Sequence, residues 1–205
     1  MERYEEALQD FNQAIELDPK DTWALTLRGL TYQSMERYEE ALLDFNQAIE
    51  IDPEYVWTIG ERGETYLLIG KYEEALNDFN RMVELDAEDD LSLYNRAIAH
   101  QTLGHIEQAR IDLAQAILLA RVKYEKDPEH WLNTFNLGLY YLAAAADEQA
   151  KHFYRDALRR GAPAPPIRLA LQDLADFLTV FPNHKLSRAV QQGLQKELRQ
   201  RSTES

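Results

Sequence analysis

Cysteine is absent from all 205 residues, which excludes disulfides and thiolate metal sites. A reducing compartment, with the cytoplasm as the default, is the expectation. No stretch approaches the roughly 20 consecutive apolar residues of a membrane span, and Met1-Glu2-Arg3-Tyr4-Glu5-Glu6 lacks the apolar core of a signal peptide. A soluble, untargeted chain with no membrane partner is expected. Basic charge is scarce in the front half: residues 1–90 carry 24 Asp/Glu against 7 Lys/Arg, while residues 91–205 carry 12 against 15. That field repels phosphate backbones, and the C-terminal surplus is too diffuse for a basic stripe, so nucleic acid is not an expected partner. Gly-rich phosphate loops, Gly-x-Ser-x-Gly, His-Glu-x-x-His and calcium-loop patterns are all missing. The five histidines, His100, His105, His130, His152 and His184, show no i, i+4 pair. No catalytic residue, cofactor or metal is therefore expected.

What is present is repetition. Tyr4-Glu5-Glu6-Ala7-Leu8 returns as Tyr38-Glu39-Glu40-Ala41-Leu42 and as Tyr72-Glu73-Glu74-Ala75-Leu76, each followed by Asp-Phe-Asn, at a period of 34. A fainter copy places Ala109 and Leu113 one period on, and a fifth places Gly138, Tyr141, Ala150, Tyr154 and Ala157 after an insertion. Within a copy the apolar residues keep helical spacing, as in Tyr4, Ala7, Leu8, Phe11, Ala14 and Ile15, and Asp18-Pro19 or Asp52-Pro53 stops the helix. Each unit reads as a helix pair that cannot bury its apolar face alone, so neighbours must stack into an array. The repeated acid pairs, such as Glu39-Glu40, read as a solvated face and not as a catalytic dyad.

Gly29, Tyr32, Ala41, Phe45, Ala48 and Pro53 in the second copy, with Gly63, Tyr66, Ala75 and Phe79 in the third, resemble the tetratricopeptide-repeat signature. The departures are Ala87 in place of the third proline, and Ala97, His100 and Arg121 where Gly, Tyr and Pro are usual. The resemblance implies an all-α, right-handed superhelical solenoid of antiparallel helix pairs. Its expected organisation is a half repeat at 1–21, repeats at 22–55, 56–89, 90–130 and 131–162, and a C-terminal capping helix pair with a frayed tail over 163–205.

Three irregularities stand out. Copy one has no first helix, so the chain is expected to be the C-terminal piece of a longer array or to pair with another molecule, including a second copy, through its N-terminal half repeat. Between Ala109 and Ala150 the spacing is 41, seven residues beyond the period. Seven residues is close to two helical turns, about 10 Å, so a single lengthened helix is expected to run to about Lys126, with Trp131 packing on its overhang. Finally, Arg28, Arg62 and Arg96 share the period with Asp10, Asp44, Asp78 and Asp112, and in copy five both positions change together, to Leu137 and Arg155. The joint loss predicts interhelical ion pairs that fix stacking register.

By the resemblance, the first helix of each unit lines a concave face that binds a partner. Its positions hold Trp23, Leu27, Leu30, Trp57, Glu61, Glu64, Leu91, Tyr94, Asn95, Ile98, Phe135, Asn136 and Leu139. The family's chaperone-tail receptors need a Lys/Arg and Asn clamp for a terminal carboxylate, and this row has no Lys or Arg. The expected ligand is instead a protein or peptide, an amphipathic helix or extended segment with basic residues, anchored on Trp57 and Tyr94. The bland reading is that some of these side chains cover the solenoid's own inner surface. A non-catalytic interaction scaffold is the leading functional reading. The alternatives are a self-assembling module joined end to end and an accessory part of a larger enzyme or signalling protein.

Overall fold

The structure, a computed structural model, describes residues 2–203. Among them every regular element is an α-helix: α1 Glu2–Leu17, α2 Thr22–Ser34, α3 Tyr38–Ile51, α4 Val56–Leu68, α5 Tyr72–Leu85, α6 Asp90–Thr102, α7 Ile106–Lys126, α8 Trp131–Ala143, α9 Asp147–Arg159, α10 Ala164–Val180 and α11 Lys185–Thr203. They fall into two compact units, Met1–Ala87 with α1 to α5 and Glu88–Ser205 with α6 to α11.

Local chemistry sets the helix ends. The carboxylates of Asp21 and Asp89 accept from the backbone N–H of Ala24 and Ser92, at 2.9 and 2.8 Å, and so cap α2 and α6. Asp52, Asp86 and Asp127 take extended or non-helical backbone angles and end α3, α5 and α7. Inside each pair the turn passes through one left-handed residue, Glu36, Gly70, Gly104 or Ala145, with φ of 59, 76, 76 and 54°. The next backbone N–H then reaches back five residues: Arg37 to Tyr32, Lys71 to Tyr66, His105 to His100 and Ala146 to Tyr141, at 2.8–2.9 Å.

In the first unit α2 packs on α3 and α4 on α5, while α1 lies against α2 and α3 against α4. In the second, α6 pairs with α7, α8 with α9 and α10 with α11, and α7 lies against α8. The rings of Phe45 and Phe79, both fully buried, press on Gly29 and Gly63 across the pair. The sequence-predicted ion pairs form in each regular repeat. Arg28, Arg62 and Arg96 each donate through Nε and Nη2 to both carboxylate oxygens of Asp44, Asp78 and Asp112, at 2.6–2.8 Å. Arg28 and Arg62 also donate through Nη1 to Asn12 and Asn46 of the preceding helix, at 2.8 and 2.7 Å. One guanidinium thus ties three consecutive helices.

α7 is the lengthened helix. Tyr124 on its overhang meets the Phe153 ring edge-on at 5.4 Å, and Phe153 stacks on Tyr141 at 5.5 Å. Trp131 sits under the Arg160 guanidinium, 4.9 Å from its ring centre. Beyond α9, α10 packs on α8 and α11 on α9, so the C-terminal pair continues the stacking of the second unit. Ile167, Ala170, Leu174 and Phe177 form the inward face of α10, and Leu194 anchors α11, whose Lys185, Arg188, Lys196 and Arg199 are exposed. α11 runs to Thr203, and Glu204 and Ser205, the end of the tail expected to fray, lie outside the described residues. No described helix is long and apolar enough to cross a membrane.

Candidate functional site

α2 and α4 carry matched stripes in the first unit, because residues four and seven apart share a helix face. Trp23, Leu27 and Leu30 lie on α2, and Trp57, Glu61 and Glu64 occupy the same positions one period later on α4. Two polar contacts hold these helices in register. The Thr26 and Thr58 hydroxyls meet at 2.6 Å, and Gln33 donates to the Thr65 hydroxyl at 2.9 Å. Trp23 is 57% exposed, which is unusual for so large a ring. Trp57 is half-buried, and its indole Nε1–H donates to Glu61 Oε1 at 2.8 Å, while Tyr55 meets the ring edge-on at 6.0 Å. The indole is therefore held in one orientation. Leu27, Leu30, Glu61 and Glu64 are each half-buried.

Charge is concentrated in the same unit. Residues 1–87 carry 21 Asp/Glu against 7 Lys/Arg and residues 88–205 carry 15 of each, so the whole net charge of −14 belongs to the first unit. Arg28 and Arg62 are paired with Asp44 and Asp78, so neither stands as an uncompensated cation in that unit.

The second unit differs from the expectation of an open row. Tyr94, Asn95, Ile98, Phe135 and Leu139 are buried, with exposures of 2–7%, and only Leu91 and Asn136 of the expected positions there reach the surface. Tyr94 stacks on Tyr140 of α8, ring centres 4.7 Å apart, and the Tyr140 hydroxyl donates to Asp90 Oδ2 at 3.0 Å. Lys123 of α7 also bonds Asp90. Burial, with Asp90 beside it, pushes the Tyr140 hydroxyl pKa well up, so the group is a structural donor. The physical reason for the difference is α8, apolar nearly all round, which needs cover on both sides and receives α10. Tyr94 is accordingly a core ring of the second unit, not a free anchor. Sequence reasoning also missed the apposition of His100 and His105, whose Nδ1 atoms lie 3.2 Å apart.

α10 brings one more irregular group. Burial, then the neighbouring Asp176, pushes the Asp173 carboxyl up to about 7, and burial likewise raises Asp176 against the bond from Gln172. Among the described residues no cation pairs with Asp173. Unfolded, this carboxyl titrates near its usual 3.8, so the folded chain holds the extra proton between those values and loses stability as pH rises from about 4 to 7. Asp173→Asn should raise Tm at pH 8 by roughly 2–4 °C and leave it nearly unchanged at pH 4, as scanning calorimetry will show.

Comparison with known proteins agrees with this architecture. Tetratricopeptide repeat models match residues 22–55, 45–77 and 91–122, and a TPR repeat model matches residues 1–36. The chain belongs to the tetratricopeptide repeat family. No curated protein sequence matches it. Among solved structures, it is similar to MamA from Desulfovibrio magneticus RS-1, with 19% identity over 78% of this chain and 88% of that one and a TM-score of 0.56. A tetratricopeptide repeat protein from Parabacteroides merdae aligns at 18% identity over 96% of this chain and 77% of its own, with a TM-score of 0.58. The APC/C hetero-tetramer Cut9-Hcn1 aligns at 17% identity over 94% and 40%, with a TM-score of 0.59. At these identities the likeness is one of fold.

Proposed function

We propose that the protein is a non-catalytic interaction scaffold whose first unit holds a basic, amphipathic segment of a partner protein across the α2 and α4 stripes. The observation that carries this reading is the pair of matched stripes with an exposed Trp23 and a Trp57 indole fixed by Glu61, inside the unit that holds the entire net negative charge. Large, conformationally restricted aromatics supply most of the energy at recognition sites, and oriented acids choose the sign of the ligand. A segment with apolar side chains at helical spacing and Lys or Arg between them complements both features. The Cut9-Hcn1 hetero-tetramer, similar in fold, joins two different proteins, which supports the class of function.

Capture of partner proteins from cell extract, with the bound segment mapped by cross-linking, tests the reading. The Trp23→Ala/Trp57→Ala double variant should lose at least tenfold in affinity for that segment while its helical content stays unchanged. Glu61→Lys/Glu64→Lys should weaken the same partner and flatten its salt dependence. Full retention by the tryptophan double variant would place the binding surface elsewhere.

A further inference from the structure

The turn inside each helix pair brings residue i and residue i+5 together, because the later backbone N–H bonds the earlier carbonyl across a left-handed residue. In copies two and three this apposition sets a cation on a ring: the Arg37 guanidinium lies 4.5 Å from the Tyr32 ring centre, and Lys71 Nζ lies 5.9 Å from that of Tyr66. Between α6 and α7 both positions are histidine. Their Nδ1 atoms face each other at 3.2 Å, with ring centres 5.4 Å apart. The closeness follows from the repeat backbone itself.

We infer that His100 and His105 form an open two-imidazole site for a borderline divalent transition-metal ion such as Zn²⁺. Two nitrogens each about 2.0–2.1 Å from one metal, at tetrahedral or right angles, stand about 2.9–3.4 Å apart. The observed spacing falls in that window. The far nitrogen of His100, Nε2, lies 4.0 Å from Asp112 Oδ2, beyond hydrogen-bond range but near enough for the carboxylate's charge to favour a metal-bound imidazole there. Asp112 is itself fixed by the two bonds from Arg96. Binding through both Nδ1 atoms requires the Nε2–H tautomer of both rings, which a neutral imidazole reaches by moving its hydrogen from Nδ1 to Nε2. His105 is exposed, and no third His, Cys, Asp or Glu among the described residues closes a cage, so water completes the shell and the ion exchanges. Imidazole pairs select zinc, copper or nickel over magnesium and calcium, which need oxygen ligands.

The test is calorimetric titration of Zn²⁺ into the untagged full chain, with Mg²⁺ as the counter-probe for the acidic surface. One equivalent should bind saturably, at least tenfold more weakly in His105→Ala and in His100→Ala, and without change in His152→Ala. His105 is exposed at the start of α7, so its alanine variant keeps the fold, as circular dichroism will verify. Absence of one-equivalent binding to the unaltered chain, binding that survives His105→Ala, or equal binding of Mg²⁺ would each overturn the assignment.

Discussion

Asp78→Ala should destabilise the protein by about 3 kcal/mol, the low end of the roughly 3–5 kcal/mol seen when one partner of a buried ion pair is removed. Asp78 is 4% exposed and takes two hydrogen bonds from Arg62, so alanine leaves a half-buried guanidinium without its carboxylate between α4 and α5. Arg62 keeps Asn46 and some water, which holds the loss to the lower end. For a chain of this size that is a fall in Tm of roughly 6–12 °C. Glu73→Ala, on the exposed side of the same helix, is the neutral control and should move Tm by less than about 1–2 °C. The half-buried Asp21 would not serve as a neutral control, since it caps α2 and its loss alone costs about 1 kcal/mol. The chain contains its own double variant, because copy five has a fully buried Leu137 at the arginine position and, one residue before the Tyr154 ring that faces Gly138, Phe153 and not the expected Arg155 at the aspartate position. Arg62→Leu combined with Asp78→Ala should therefore recover part of the single-variant loss in urea unfolding. Equal stability of Asp78→Ala and Glu73→Ala would remove the ion pair from any role in stacking.

Features written into the period are legible in the amino-acid sequence itself. Helix pairs, the Arg–Asp contacts and the lengthened α7 all follow from residues that recur at 34 or fail to, since repetition under one packing geometry makes a chain its own alignment. The split of the stripes into an open pair and a buried set is not legible there. Whether Tyr94 faces a partner or Tyr140 depends on what packs beyond it, and α10 has no repeat signature from which its docking on α8 follows. The histidine pair escapes a reading at i, i+4, because that is the spacing of a continuous helix. Across a turn the facing positions are i and i+5, a rule that Tyr32 with Arg37 and Tyr66 with Lys71 already obey.

Gly63→Ala should destabilise the first unit, against the usual gain of about 1 kcal/mol for replacing a mid-helix glycine with alanine. A Cβ at Gly63 would stand 2.6 Å from a ring carbon of Phe79, and at Gly29 2.5 Å from one of Phe45, both well inside contact distance. Neither ring can yield, because both are fully buried and pinned between helices. Overpacking of this kind costs roughly 1–3 kcal/mol beyond the lost propensity gain. Copy four shows what relieves it: Ala97 stands at the glycine position, and Leu113 replaces the ring across from it, both buried. Copy five repeats the first solution, with a Cβ on Gly138 falling 2.7 Å from the Tyr154 ring. Small residue and ring thus exchange together within one chain, as a shared volume requires. Phe79→Leu alone should be destabilising through the cavity it leaves, by about 1 kcal/mol or more. The combination Gly63→Ala/Phe79→Leu should be more stable than the sum of the two singles predicts, by about 1 kcal/mol or more of favourable coupling. Urea unfolding of the four proteins measures that coupling, and strict additivity would mean that the glycine is required by the backbone and not by the ring.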